Sequence, residues 1–264
     1  MTSRALASVQ LAAVRPDRPE QRAIAERVFA GPLICRTDLG ARRARSGRDD
    51  REFWQGDGWF LKSRLLRRYE DLGRATAALA SLFAVKRALG ELSPTQSILV
   101  VAAHPPGGYQ LWTLAPLLVT LRERLDATSA AASWDAFAIA LAGYGLALGE
   151  SLSSSIDAGI CLDPSPANFA IQGGRVRYLD DDVAVNRQAL GIEDAFVARF
   201  AEYAGAPRSA WEAYVWQFVR ELALRLSPGD YRRRRLAGRL RAAGMLRGAG
   251  RPNVDRVLAA LEAL

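Results

Sequence analysis

The second half of this chain reads as helix almost throughout, and its one interruption, residues 160–182, constrains the fold more than any other feature. Pro164 and Pro166 lack the N–H that a helix or a central strand needs, and each disfavours helical geometry in the residue before it. Asp163 to Ala167 must therefore be a loop. Phe169-Ala-Ile171 and Val176-Arg-Tyr-Leu179 read as strands, and the Gly173-Gly174 between them suits the positive φ angles of a two-residue hairpin turn. That turn predicts a register in which Gln172 faces Arg175 and Asn168 faces Leu179. Asn168 then lies next to Asp180 at the open end of the hairpin, where the loop bearing Asp163 also enters. An amide oxygen and separated carboxylates at one end form the oxygen-rich environment preferred by a hard cation such as Mg²⁺. Alone, Asp180-Asp181-Asp182 reads as an acidic turn; its spacing from Asn168 and Asp163 is what makes ligands of it.

The remaining patterns divide the chain into a mixed first part and a helical second part. Glu52-Phe-Trp, Gln55-Gly-Asp-Gly58 and Trp59-Phe-Leu-Lys62 predict a β-hairpin after a charged loop over 42–51. Helical spacing runs from Asp71 to Leu89, and Ser97 to Ala103 is a short apolar run suited to a buried strand. His104-Pro-Pro-Gly-Gly108 reads as a connector. Beyond it, helices are predicted over 114–125, 133–157, 192–204, 208–226, 229–247 and 253–263. The 133–157 helix has Trp134, Phe137, Leu141, Leu148, Leu152 and Ile156 along one face, and Gly143 to Gly149 offers small residues for close packing. Ser151 and Ser153 to Ser155 read as surface and end positions. The expectation is an α+β fold with an N-terminal lobe over 1–103 and a C-terminal lobe over 104–264.

A helix ending before Cys161, then Asp163-x-x-x-x-Asn168, a hairpin and Asp180, resembles the catalytic segment of the protein-kinase superfamily. The form Leu-Asp-Asp-Asp182 is most similar to small bacterial members such as the lipopolysaccharide core and Kdo kinases. The resemblance is close over residues 150–182 and loose elsewhere. It implies a two-lobed fold and an ATP-dependent phosphotransferase acting on a hydroxyl. Asp163 would be the base, Asn168 and Asp180 would hold Mg²⁺ on the nucleotide phosphates, and Asp182 would add a second metal contact or a structural link. It also implies a phosphate-pairing lysine on a strand of the small lobe. Lys62 fits, being with Lys86 one of only two lysines among 36 basic residues. A compact ammonium there, where the wide guanidinium fork does not fit, gives a reason for the exception; the alternative is chance retention on a surface.

The departures are equally specific. Cys161 replaces the histidine that precedes the aspartate in the family, and no Gly-x-Gly-x-x-Gly precedes Lys62. The 71–89 helix contains no glutamate to pair with the lysine, leaving Glu70 just before it as the candidate. A catalytically inactive pseudokinase serving as a binding or scaffold protein is therefore the alternative.

Two cysteines, Cys35 and Cys161, exclude a disulfide framework and show no metal-ligand spacing, and His104, the single histidine, excludes a histidine-based triad or metal cluster. No apolar run reaches the roughly 18 residues of a transmembrane segment, and the N-terminus lacks the features of a signal peptide. The expectation is a cytoplasmic protein, or one peripheral at the inner face of the membrane. A net charge of +8 raises contact with anionic partners. The basic run Arg232 to Arg247 is the candidate for such a surface, with a solvated outer helix face as the plainer reading.

Overall fold

The chain divides into two units, Met1–Leu117 and Leu118–Leu264, in a computed structural model that describes residues 3–4, 9–36, 51–103, 107–181, 183–185, 191–225 and 234. The first unit runs β1 (Ser3–Arg4), β2 (Leu11–Arg15), α1 (Pro19–Ala30), β3 (Leu33–Cys35), β4 (Arg51–Gly56), β5 (Trp59–Tyr69), α2 (Leu72–Ala88), β6 (Ile98–Ala103) and β7 (Tyr109–Pro116). All seven strands join one antiparallel sheet in the order β1-β3-β4-β5-β7-β6-β2.

Local chemistry accounts for its main features. Asp57 and Gly58, with φ of 48° and 73°, form the two-residue turn that closes β4 on β5 and sets Gly56 opposite Trp59. The run Ile98–Ala103 is apolar at every position because helices cover both of its faces. Ile98, Val100 and Ala102 pack with Ala25, Val28 and Phe29 of α1, while Leu99 and Val101 pack with Ala75 and Leu79 of α2. Each such Val or Leu contributes roughly 1.5–3 kcal/mol on burial. Helix α2 starts where the Asp71 carboxylate accepts the Arg74 N–H at 2.8 Å.

The expected helix over 114–125 is corrected. Residues 109–116 are strand β7, held between β5 and β6, and Trp112 and Leu114 supply the α1-side core. Helix begins only at Leu121, where Thr120 and Glu123 form a reciprocal capping box. Pro116, which disfavours helix before it, marks the limit. The segment 104–108 thus joins two strands of one sheet, and the division between units falls after Leu117.

The second unit contains α3 (Leu121–Ala130), α4 (Trp134–Ala158), β8 (Ile160–Leu162), β9 (Phe169–Gln172), β10 (Arg175–Tyr178), β11 (Val183–Val185), α5 (Ile192–Glu202) and α6 (Arg208–Arg225). Taken together, the described residues form an α+β fold. Helix α4 packs on α3, α5, α6 and strands β8, β9 and β10. It is long and apolar enough to cross a membrane, but 56% of its most apolar window is buried inside the protein, as in a core helix. It meets α6 closely. A Cβ on Gly145 would lie 2.9 Å from the Tyr214 carbonyl oxygen, and one on Gly149 only 2.3 Å from the Glu221 Cβ. Small residues in that stretch therefore serve packing, as their spacing suggested. Ser151 departs from expectation: it is buried and donates to the Ala147 carbonyl at 2.8 Å, which satisfies its hydroxyl within the helix. Ile156, expected on the apolar face, is exposed. Residues 42–50, His104, Asp182 and Arg232 to Arg247, except Arg234, lie outside the described residues, as do the helices expected over 229–247 and 253–263.

Candidate functional site

Two short ladders bring the chemistry of residues 160–185 together. In the first, Gly173 and Gly174, at φ of 58° and 75°, turn β9 onto β10. Gln172 pairs with Arg175 and Phe169 with Tyr178. The register continues one step further, since the Leu179 N–H donates to the Asn168 carbonyl at 2.7 Å. Asn168 is therefore opposite Leu179 and beside Asp180, as the Gly-Gly turn predicted. In the second ladder, β8 pairs antiparallel with β11, Leu162 facing Val183. Asp163 leaves β8 at the end where the chain from Asp180 enters β11. The two ladders thus hold the 163–168 loop alongside residues 179–181.

Within the loop nearly every polar atom around Asp163 has a defined partner. Its N–H donates to the Tyr178 hydroxyl at 3.1 Å, and its carbonyl accepts from Asn168 Nδ2 at 3.4 Å. Its Oδ1 accepts the Ser165 N–H at 3.1 Å, an Asx-type turn that fixes the carboxylate rotamer. Oδ2 accepts no hydrogen bond among the described residues, and the half-buried side chain remains open to a ligand. The next peptide is held as well: the Tyr144 hydroxyl donates to the Pro164 carbonyl at 2.6 Å.

Asn168, Asp180 and Asp181 are buried. Asn168 turns its Nδ2 to the Asp163 carbonyl, which leaves Oδ1 as the atom that could meet a cation. Asp180 Oδ1 accepts the Asp181 N–H at 2.8 Å. The Tyr178 hydroxyl is within the influence of all three carboxylates. Burial pushes its pKa up, and the negative charges of Asp180, Asp163 and Asp181 push it further. Among the described residues no group of three His, Cys, Asp or Glu side chains could hold a metal on its own. Two carboxylates and an amide oxygen nevertheless suit Mg²⁺, which keeps several of its own waters and takes only one or two protein carboxylates.

Lys62 belongs to the first unit. On β5 it faces Phe53 of β4 and Thr113 of β7, and Thr113 in turn faces Leu99, which packs on α2. Cross-strand partners share a face, so Lys62 is on the α2 side of the sheet. It is 6% exposed, which removes the reading of chance retention on a surface. Phe53 and Phe60 stack on that same face with ring centroids 5.7 Å apart. Lys86 is buried too, on the stripe of α2 that carries Ala75 and Leu79. Glu70 is exposed at the bend between β5 and α2.

Sequence reasoning missed Tyr144, Tyr178, the Ser165 N–H and the β8–β11 ladder. Only the ladder left a signal, the apolar triplets Ile160-Cys-Leu162 and Val183-Ala-Val185 flanking the Pro/Gly segment. The tyrosines left none, because an aromatic on an apolar face reads as core. No protein-family model matches the chain, and no curated protein or solved structure matches it either.

Proposed function

We propose that this chain is a kinase-like phosphotransferase that uses ATP and Mg²⁺ to phosphorylate a hydroxyl on its acceptor. The observation that carries the reading is the Asp163 loop. One carboxylate oxygen is held by the Ser165 N–H and the other takes no bond from the described residues, beside Asn168 and a buried Asp180. That is the arrangement a hydroxyl-activating base needs: a fixed rotamer with one oxygen left for the incoming proton. Asn168 Oδ1 and Asp180 would hold the cation, with Asp182 as a further ligand. When bound, Mg²⁺ supplies charge neutralisation on the transferred phosphoryl group. Lys62 supports the reading, since it lies on the third strand of a β3-β4-β5 meander followed by a helix. Protein kinases carry their phosphate-pairing lysine on the third strand. A sugar, a lipid-linked saccharide, a small metabolite or a protein side chain are the candidate acceptors.

Thermal stabilisation by ATP with Mg²⁺ tests the site. The wild type is expected to gain about 2.7 kcal/mol at a hundredfold excess over Kd. Asp180→Ala should abolish that gain, whereas Asp163→Ala should keep it and lose turnover. A wild type that ATP with Mg²⁺ fails to stabilise would remove the nucleotide reading.

One observation favours the second reading, a pseudokinase. Helix α2 contains no acidic residue to pair with Lys62, and Glu70 at its approach is exposed. Stabilisation by ATP with Mg²⁺, but no phosphoryl transfer to any acceptor or to water, would select it.

A further inference from the structure

Two buried tyrosines each bond the backbone of one of two consecutive residues, Asp163 and Pro164, and the proposed chemistry leaves both unassigned. Tyr144 reaches the Pro164 carbonyl from helix α4, and Tyr178 accepts the Asp163 N–H from strand β10. Resting on the phosphotransferase reading, we propose that these hydroxyls are positioning groups which clamp the Asp163-Pro164 segment from both sides and hold the Asp163 carboxylate in register with Asp180.

Three features argue that the hydroxyls matter beyond the bulk of their rings. Neither ring needs its oxygen in order to pack: Tyr178 lies 5.2 Å from Phe169, and Tyr144 stacks on Tyr214 at 6.0 Å. A phenylalanine would fill either position, yet both carry a hydroxyl in full burial, which costs free energy unless the group is bonded. The bonds go to the N–H of Asp163 and the C=O of Pro164, two backbone groups that a proline-containing loop cannot place in a ladder. From strand β10, the Tyr178 oxygen accepts the Asp163 N–H at 3.1 Å. The clamp therefore ties the base to the metal-side strand through one oxygen atom. A loop set free by as little as 1 Å is expected to lose about a hundredfold in rate with substrate binding barely altered.

The experiment compares wild type, Tyr178→Phe and Tyr144→Phe as full-length proteins. Amide hydrogen exchange without ligand is expected to speed up about tenfold over residues 163–168 in each variant, while β9 and β10 keep wild-type protection. Turnover of ATP with Mg²⁺ is expected to fall about a hundredfold with KM for the nucleotide unchanged. Wild-type exchange in the loop of either variant would overturn the clamp. So would a KM that rises as far as kcat falls, because the tyrosines would then serve binding or folding and not the placing of Asp163. If one variant does not fold, the other decides, since the two bonds are made from different elements. A wild type that does not bind ATP with Mg²⁺ would overturn the catalytic role through the parent reading, and the exchange comparison would show whether the clamp itself had failed.

Discussion

Asp163 is useful as a base because of what its neighbours have already occupied. A carboxylate in a loop normally samples several rotamers, but here Oδ1 is tied to the Ser165 N–H and the backbone on either side is bonded. Preorganisation of this kind removes reorientation from the reaction coordinate. The same reasoning applies to Lys62. Burying a lysine costs free energy unless its polar head has partners, so the buried Lys62 is a candidate for a role that uses its amine. Lys62→Met keeps the length and apolar stem of the side chain and removes the charge. The expected outcome is a folded protein whose stabilisation by ATP with Mg²⁺ drops by at least tenfold in ligand affinity, measured by calorimetric titration. Unchanged affinity would assign Lys62 to the structure of the sheet alone. Lys62 was legible as a candidate from rarity and strand position, whereas its burial followed only from the sheet built around it.

Among the elements, the α4–α6 contact and the β9–β10 hairpin carry the site for different reasons. Helix α4 supplies Tyr144 from its middle, so its seat against α6 sets where that hydroxyl reaches. Gly149 allows the approach, with the Glu221 side chain where a Cβ would be. Gly149→Ala is expected to destabilise the protein by about 1–3 kcal/mol through overpacking, read as a lower urea midpoint. A midpoint equal to wild type would mean that the helices separate without penalty. The register of the hairpin was legible residue by residue, because a Gly-Gly turn with a period of two leaves one register open. The helix expected from residue 114 gives way to strand over 114–116, where Leu114, Leu117 and Leu121 also match a helical spacing. Only the pairing of β7 with both β5 and β6 decides between the two periods.

Over the whole molecule, the buried tyrosines make a prediction about pH. Burial raises the pKa of Tyr144, Tyr178 and Tyr214 above the ordinary value near 10. The unfolded chain therefore loses these protons first. Stability from this source is complete below about pH 10 and is lost as pH rises towards the raised folded values, with a slope approaching 1.4 kcal/mol per pH unit for each tyrosine. Urea unfolding between pH 8 and 11.5 is expected to be flat at first and then fall steeply, less steeply in Tyr214→Phe. A wild-type profile that stays level to pH 11.5 would count against burial of these hydroxyls. By itself, the sequence determined the features that depend on neighbours along the chain: the Pro-broken loop, the Gly-Gly reversal with Asn168 beside Asp180, the helix over the 71–89 stretch and a hairpin reversal within Gln55 to Gly58, which the structure narrows to Asp57-Gly58. Those follow from backbone sterics and side-chain period, which act over a few residues. Only tertiary structure decided that β8 pairs with β11, that Tyr144 and Tyr178 meet the Asp163 loop, and that Lys62 is buried. Contacts between residues distant in sequence arise from packing summed over a whole unit, and no short stretch of chain holds that information.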